Sequence, residues 1–162
     1  MDITLTDSKT FKIKTKLSSV LVSDIIKIDR PDGDQFVIDA AGEYEVSGIS
    51  VIGLQVDKTI FYVVEAEGMR MAVAGKSDEK LSAENLSELG SIDIALIPTD
   101  MDAKIAVEIA RQIDPWVIIP SGFNPTAFLK EMGTAAYEPV PKYSISKDKL
   151  PAELAVVILS SK

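Results

Sequence analysis

The segment from Phe36 to Gly75 constrains the fold most, because it reads as a succession of short β-strands separated by turns. β-Branched and aromatic residues are concentrated in short runs, as is typical of strands. Glycines at positions 42, 48, 53 and 68 mark places where the chain is expected to reverse or bulge. The predicted strands are Phe36–Ile38, Ile49–Ile52, Thr59–Val64 and Met69–Ala74, with turns at Asp57-Lys58 and Glu67-Gly68. We therefore expect a β-meander onto which the rest of the chain packs.

The residues before the meander are also rich in β-strand signals. We expect opening strands at residues 3–6 and 10–16, and a further β-rich stretch from Val20 to Ile28. Apolar residues and lysines alternate from Phe11 to Leu17, which predicts an edge strand or a half-exposed strand, with a basic recognition stripe as the functional alternative. Asp29–Asp34 reads as a turn, because Pro31 fixes φ and Asp32-Gly33 favours a reversal.

After the meander the apolar period changes from two residues to the 3.6 residues of a helix. Three helices and several buried strands are predicted in alternation, which indicates an α/β fold with helices covering at least one face of a sheet. The predicted helices are Ser82–Gly90 with Ser82 as cap, Asp102–Ile113 with Asp102 as cap, and Asn124–Met132 with Asn124 as cap and Gly133 at its end. The predicted strands are Asp93–Ile97, Trp116–Ile119, Tyr143–Ile145 and Leu154–Leu159.

Composition excludes several classes of function. A chain of 162 residues is the size of one domain, and no apolar run is long enough to span a membrane. The net charge of −8 argues against nucleic acids and anionic membrane surfaces as partners. The N-terminal residues lack the basic and apolar regions of a secretory signal, so we expect a cytoplasmic protein. The absence of cysteine excludes disulfides and thiolate chemistry.

The run FVIDAAGEYEVSGISV at residues 36–51 resembles the metallo-β-lactamase-fold hydrolases, in the subgroup similar to ascorbate-6-phosphate lactonase. The similarity continues through residues 59–62, 68–75, 86–98 and 113–120. This resemblance implies one metallo-β-lactamase-like domain over residues 1–162. It also implies an αββα sandwich, truncated in its N-terminal half.

Hydrolases of that family hold zinc with an H-x-H-x-D-H motif, a bridging aspartate and further histidines, because the metal must activate a water molecule. This sequence contains no histidine. The resemblance places the motif between Val22 and Phe36, where Asp24 begins a region with no clear ligand pattern. Lys76 stands where the bridging aspartate is expected, and Gly122 where the C-terminal histidine is expected. We therefore expect no inherited catalytic residue, no bound metal and no cofactor.

Four residues form the candidate ligand site: Lys76, Ser77, Ser121 and Gly122. An ammonium group and backbone donors at a turn suit an anionic ligand, and Gly75-Lys76-Ser77 resembles the end of a phosphate-binding loop. A serine–lysine pair in the same region is a weaker catalytic alternative. The acidic pairs Glu43/Glu45 and Asp100/Asp102 are interpreted as exposed charge and helix capping.

Three functional hypotheses follow. The first is a non-catalytic, metal-free relative of these hydrolases that acts as a structural or interaction protein, as a homo-oligomer or with a protein partner. The second is a small-molecule binding module that uses the former active-site cleft for an anion. The third is a hydrolase with an unrecognised active site.

Overall fold

The computed structural model describes residues 1–122, 125–134 and 137–161, and it contains two β-sheets and a layer of α-helices. The strands are β1 Asp2–Leu5, β2 Phe11–Lys14, β3 Ser19–Val22, β4 Ile26–Asp29, β5 Gln35–Ile38, β6 Gly42–Val46, β7 Ile49–Val56, β8 Thr59–Ala66, β9 Met69–Val73, β10 Ile94–Pro98, β11 Val117–Ser121, β12 Tyr143–Ser144 and β13 Ala155–Val156. The helices are α1 Ala83–Leu89, α2 Ala103–Ile113 and α3 Thr126–Met132, with a short 3₁₀ turn at Lys147–Lys149.

The first sheet is antiparallel throughout and has the strand order β12-β1-β2-β3-β4-β5. In β2, Phe11 and Ile13 are buried between the two sheets, whereas Lys12 and Lys14 are exposed. The prediction of a half-exposed strand is therefore confirmed. The edge-strand interpretation is wrong, because β2 lies between β1 and β3.

The second sheet has the order β13-β11-β10-β9-β8-β7-β6 and is mixed. Strands β6 to β9 are antiparallel, while β9, β10, β11 and β13 run parallel. Helix α1 lies in the crossover from β9 to β10 and helix α2 in that from β10 to β11, as parallel pairing requires. Every residue of β10 is buried because one face of this sheet packs on the first sheet and the other on the helices. The predicted α/β sandwich is confirmed.

The helix boundaries follow local capping signals. The Ser82 side chain accepts a hydrogen bond from the backbone N–H of Asn85, and Asp102 accepts from the N–H groups of Lys104 and Ile105. Both predicted caps are confirmed. Helix α3 begins after Pro125, and the predicted cap Asn124 lies outside the described residues. Within the described ranges, the longest helices remain too short and too polar to traverse a bilayer.

The predicted meander is divided between the two sheets. Strand β5 ends the first sheet, and after residues 39–41 the chain enters the second sheet at β6. Gly53 was expected to mark a reversal or bulge but lies inside β7. A Cβ atom at position 53 would lie 2.8 Å from the Ala40 carbonyl oxygen, so glycine is needed there because the linking segment crosses closely over the strand.

Other predicted boundaries also change. The stretch Val20–Ile28 forms two strands, β3 and β4, joined by a turn. The final strand is limited to Ala155–Val156, followed by isolated bridges. Trp116, which was predicted to begin a strand, precedes β11 and is 46% exposed. The sequence pattern alone did not fix where these strands begin and end, because a short apolar run is compatible with several strand boundaries.

Candidate functional site

A cleft lies where the parallel strands β9, β10 and β11 end, facing the β1–β2 and β3–β4 turns of the first sheet. Its cavity volume is about 40 Å³, and it opens to the solvent. The cleft is lined by buried apolar residues and by a polar rim. The apolar lining includes Phe11, Val22, Val73 and Leu96, and the polar lining consists of Lys9, Ser23, Asp24, Lys76, Asp100 and Ser121. The carboxyl ends of parallel strands are the usual position for ligand sites in α/β sheets.

The central feature of the cleft is a cluster of two lysines on one carboxylate. The Oδ2 atom of Asp100 lies 2.5 Å from Nζ of Lys76 and 2.8 Å from Nζ of Lys9. Burial would raise the pKa of Asp100, but hydrogen bonds from Lys76 and Lys9 outweigh it and hold this pKa below its usual value. The hydrogen bond to Asp100 also raises the pKa of Lys9. Both shifts favour the charged forms of Asp100 and Lys9 at neutral pH.

The β1–β2 turn positions Lys9. Asp7 Oδ1 accepts hydrogen bonds of 2.9 Å from the backbone N–H groups of both Lys9 and Thr10, which closes the turn. The N–H of Gly122 then donates to the Ser8 carbonyl oxygen at 2.9 Å. This bond ties the turn of the first sheet to the end of β11 in the second sheet.

Lys76 is placed by the close approach of Gly75 to the neighbouring strand. A Cβ atom at position 75 would lie 3.0 Å from the Ile60 carbonyl oxygen and would also collide with the Thr59 side chain. Just before it, the N–H of Ala74 donates to the Leu96 carbonyl oxygen at 3.0 Å, which extends the pairing of β9 with β10. Glycine thus lets the chain leave β9 at the point that directs Lys76 toward the cleft.

The segment after β10 places Asp100. The backbone N–H and Oγ1 of Thr99 both donate to the Ser121 carbonyl oxygen, at 2.8 and 2.6 Å. Gly122 has a φ of 119° and would bring a Cβ atom within 2.7 Å of Thr99 Oγ1. A side chain at position 122 would therefore disturb the contact that orients Thr99 and, through it, Asp100.

The structure brings together two of the four predicted ligand residues. Lys76 and Ser121 line the cleft, while Gly122 lies beside it and lines a neighbouring depression. Ser77 is buried, and its hydroxyl donates to the Glu79 carbonyl oxygen at 2.7 Å, so it does not line the cleft.

The serine–lysine alternative is not assembled in the described part of the chain. The Ser121 hydroxyl donates to the Ile97 carbonyl oxygen at 3.4 Å, and Ser77 is engaged with its own turn. Lys76 is instead paired with Asp100. No lysine in the cleft is held against a serine hydroxyl, which a general base for that serine would require.

Two residues of the cluster were missed by the sequence analysis. Asp100 was grouped with Asp102 as a helix cap, but only Asp102 caps α2. Lys9 was seen only as part of the N-terminal segment. Asp7, two residues before Lys9, indicates a tight turn. No local pattern shows that this turn meets the end of β10.

The groups in the cleft do not fit zinc. Zinc sites in proteins are built largely from imidazole and thiolate ligands, and this sequence has neither. The carboxylates available in the cleft are those of Asp24 and Asp100, and Asp100 is already paired with two ammonium groups. Across residues 1–122, 125–134 and 137–161, no three acidic side chains are grouped so that they could hold a metal ion.

Comparison with known proteins identifies a family and a fold. A family model described as a β-lactamase superfamily domain matches residues 17–121. A structure from Thermotoga maritima, described provisionally as a zinc-dependent hydrolase of the metallo-β-lactamase superfamily, is 22% identical, with 98% of each chain covered and a TM-score of 0.71. A structure from Parabacteroides distasonis, described provisionally as a metal-dependent hydrolase, is 13% identical, with 96% of this chain and 100% of that chain covered and a TM-score of 0.50. A search of curated proteins found no match.

Proposed function

Because this chain belongs to the β-lactamase superfamily, we propose that it is a non-catalytic, metal-free member that works by binding, as an oligomer or with a protein partner. The observation that supports this proposal is the Lys9–Asp100–Lys76 cluster in the cleft. The structures that share the fold are described as metal-dependent hydrolases, whereas here two ammonium groups surround the carboxylate. We expect such a protein to be cytoplasmic.

Electrostatics favours the metal-free state. A divalent ion bound to Asp100 would lie close to both lysines, and like charges at such short range repel one another. A dication doubles each repulsion. Loss of a lysine proton would relieve the repulsion, but the raised pKa of Lys9 makes this loss harder. The two ammonium groups thus disfavour a metal ion at Asp100.

Zinc binding provides the test. The purified protein is incubated with zinc, dialysed, and analysed for metal by mass spectrometry. We expect far less than one zinc per chain, and no turnover across a panel of lactones and phosphoesters. Stoichiometric zinc in the wild-type protein would overturn the proposal. Turnover that resists chelators would favour the alternative of a hydrolase with an unrecognised site.

Matched variants make the zinc test sensitive. Lys76→Asp places a second carboxylate beside Asp100, so we expect it to increase zinc affinity. Lys12→Asp makes the same charge change at an exposed lysine of β2 that lies outside the cleft and has no ion pair among the described residues. An equal gain in both variants would show that the effect reflects net charge and not the cleft.

A further inference from the structure

We propose that the cleft binds a small organic oxyanion, a carboxylate or phosphate monoester with a short apolar body, and that the ligand displaces Asp100 from Lys9 and Lys76. This inference rests on the proposed function, because it requires a cleft without metal. It keeps Lys76 from the ligand site that the sequence suggested and adds Lys9 and the apolar lining of the cleft.

The two ammonium groups are arranged for a single anion. One oxygen atom of Asp100 contacts both, so the two groups are close enough for one external oxyanion to bridge them in the same way. The side chains of Lys9 and Lys76 are 48% and 47% exposed, which leaves N–H donors accessible from the solvent. Each ammonium has three donors, and the contact with Asp100 does not use them all.

The floor of the cleft suits an apolar body. Phe11, Val22, Val73 and Leu96 line it, and each is at most 8% exposed, so they form a firm part of the core between the sheets. A ligand chain of a few methylenes lying on this floor would be removed from water. Each additional buried methylene is expected to improve affinity about fourfold.

Asp100 acts as an internal competitor for the site. The formal charges of Lys9, Lys76, Asp24 and Asp100 cancel, so the resting cleft has no net charge to attract an anion. Asp24 is exposed at the rim and forms no ion pair within the described residues, although it is near enough to raise the pKa of Lys9. An external anion therefore competes with Asp100 for the two lysines, and removal of the Asp100 charge should strengthen binding.

A second basic depression serves as a comparison. It lies at the opposite end of the first sheet, beside the β2–β3 and β4–β5 turns, and is lined by Lys14, Lys16 and Arg30. The exposed Leu17 and the proline of the turn are its apolar components, so it lacks a buried apolar floor. Simple charge attraction would act at both places, whereas a site for an organic anion would be confined to the cleft.

The experiment is a titration of the isotope-labelled full chain with acetate, butyrate, hexanoate, butyl phosphate and inorganic phosphate, followed by NMR shifts of backbone and lysine side-chain groups. We expect saturable shifts around Lys9, Lys76 and Asp100, with affinity rising from acetate to hexanoate. A preference between butyrate and butyl phosphate identifies the head group. Asp100→Asn should bind at least about tenfold more tightly, since it removes the competing charge and keeps the side-chain shape.

Lys76→Met and Lys9→Met should each abolish the saturable shifts, while Lys16→Met at the other basic depression should leave them unchanged. Circular dichroism verifies that each variant is folded. Loss of binding in both Lys76→Met and Lys9→Met would show that the effect is not peculiar to one substitution. The inference is overturned if folded Asp100→Asn shows no saturable binding, or if Lys16→Met loses as much binding as Lys76→Met.

Metal content measured on the same samples separates the two proposals. A metal-free protein that binds no anion contradicts this inference alone, whereas stoichiometric zinc contradicts the proposed function.

Discussion

Asp100 is the residue on which the character of the cleft depends. It emerges from the end of β10, is 28% exposed, and neutralises one of the two lysines that reach it from different sheets. Lys9 comes from a turn of the first sheet and Lys76 from the end of β9 in the second. The cluster therefore also bridges the two sheets at the open end of the sandwich, so it has a structural effect as well as an electrostatic one.

The cluster should make stability depend on pH. The folded pKa of Asp100 is lowered, so its contribution is complete above the ordinary value of 3.8 and is lost as pH falls through the lower folded value. The folded pKa of Lys9 is raised, so its contribution is complete below 10.5 and is lost as pH rises through the higher folded value. Asp100→Asn should lower the urea midpoint across neutral pH, and the difference from wild type should shrink at both extremes.

Urea unfolding monitored by circular dichroism across this pH range measures the effect. Asp78→Asn is the matched control, because Asp78 is exposed and has no ion pair in the described structure. Its pH profile should follow that of the wild type. If Asp100→Asn gives the same pH profile as Asp78→Asn, the cluster does not stabilise the fold.

At the level of elements, β7 shows how the two sheets are joined. The segment between β5 and β6 passes over β7 so closely that a Cβ atom at Gly53 would lie 2.8 Å from the Ala40 carbonyl oxygen and 3.2 Å from the Ala41 Cα atom. These obstacles are backbone atoms, which cannot rotate away as a side chain can. The link between the sheets therefore requires a residue without a side chain at position 53, in the middle of β7.

Gly53→Ala should lower the free energy of unfolding by about 1–3 kcal/mol, the usual cost of overpacking a close contact. Gly75→Ala is the comparison, because its principal obstacle is the Thr59 side chain. Truncation by Thr59→Ala should therefore reduce the cost of Gly75→Ala in a double-mutant cycle. Urea unfolding gives all the values. A change below about 0.5 kcal/mol for Gly53→Ala would show that the linking segment moves away easily.

At the level of the whole molecule, the helices cover one sheet and leave the other partly bare. All three α-helices pack through the core that includes the second sheet. The outward side chains of β2 in the first sheet are the exposed Lys12 and Lys14. The chain as a whole has a net charge of −8, so copies of it repel one another at long range.

The proposed oligomer should consequently respond to salt. Screening shortens the range of repulsion between like-charged copies, so the oligomeric fraction should rise as sodium chloride increases from low to physiological concentration and beyond. Sedimentation velocity measures this fraction, and native mass spectrometry then reports the subunit number as a multiple of 17.5 kDa. A monomer at every salt concentration, with no protein retained from its host during purification, would contradict the interaction role.

Local signals in the sequence were sufficient to predict many of the helices and strands. Ser82 and Asp102 are read correctly as caps because a cap bonds to backbone groups two or three residues away. Most strand positions are also read correctly, because alternation of apolar side chains shows which residues face a core. The absence of both histidine and cysteine removed the usual zinc ligands from consideration.

The sequence by itself determined the α/β class, the starts of α1 and α2, and the lack of imidazole and thiolate ligands, since these depend on composition or on neighbours along the chain. Only the tertiary structure decided that Lys9 meets Asp100, that Ser77 does not line the cleft, and that Gly53 lies under a crossing segment. The physical reason is the same in each case. These contacts join residues from separate elements, and their geometry is set by how the two sheets pack, which no local periodicity records.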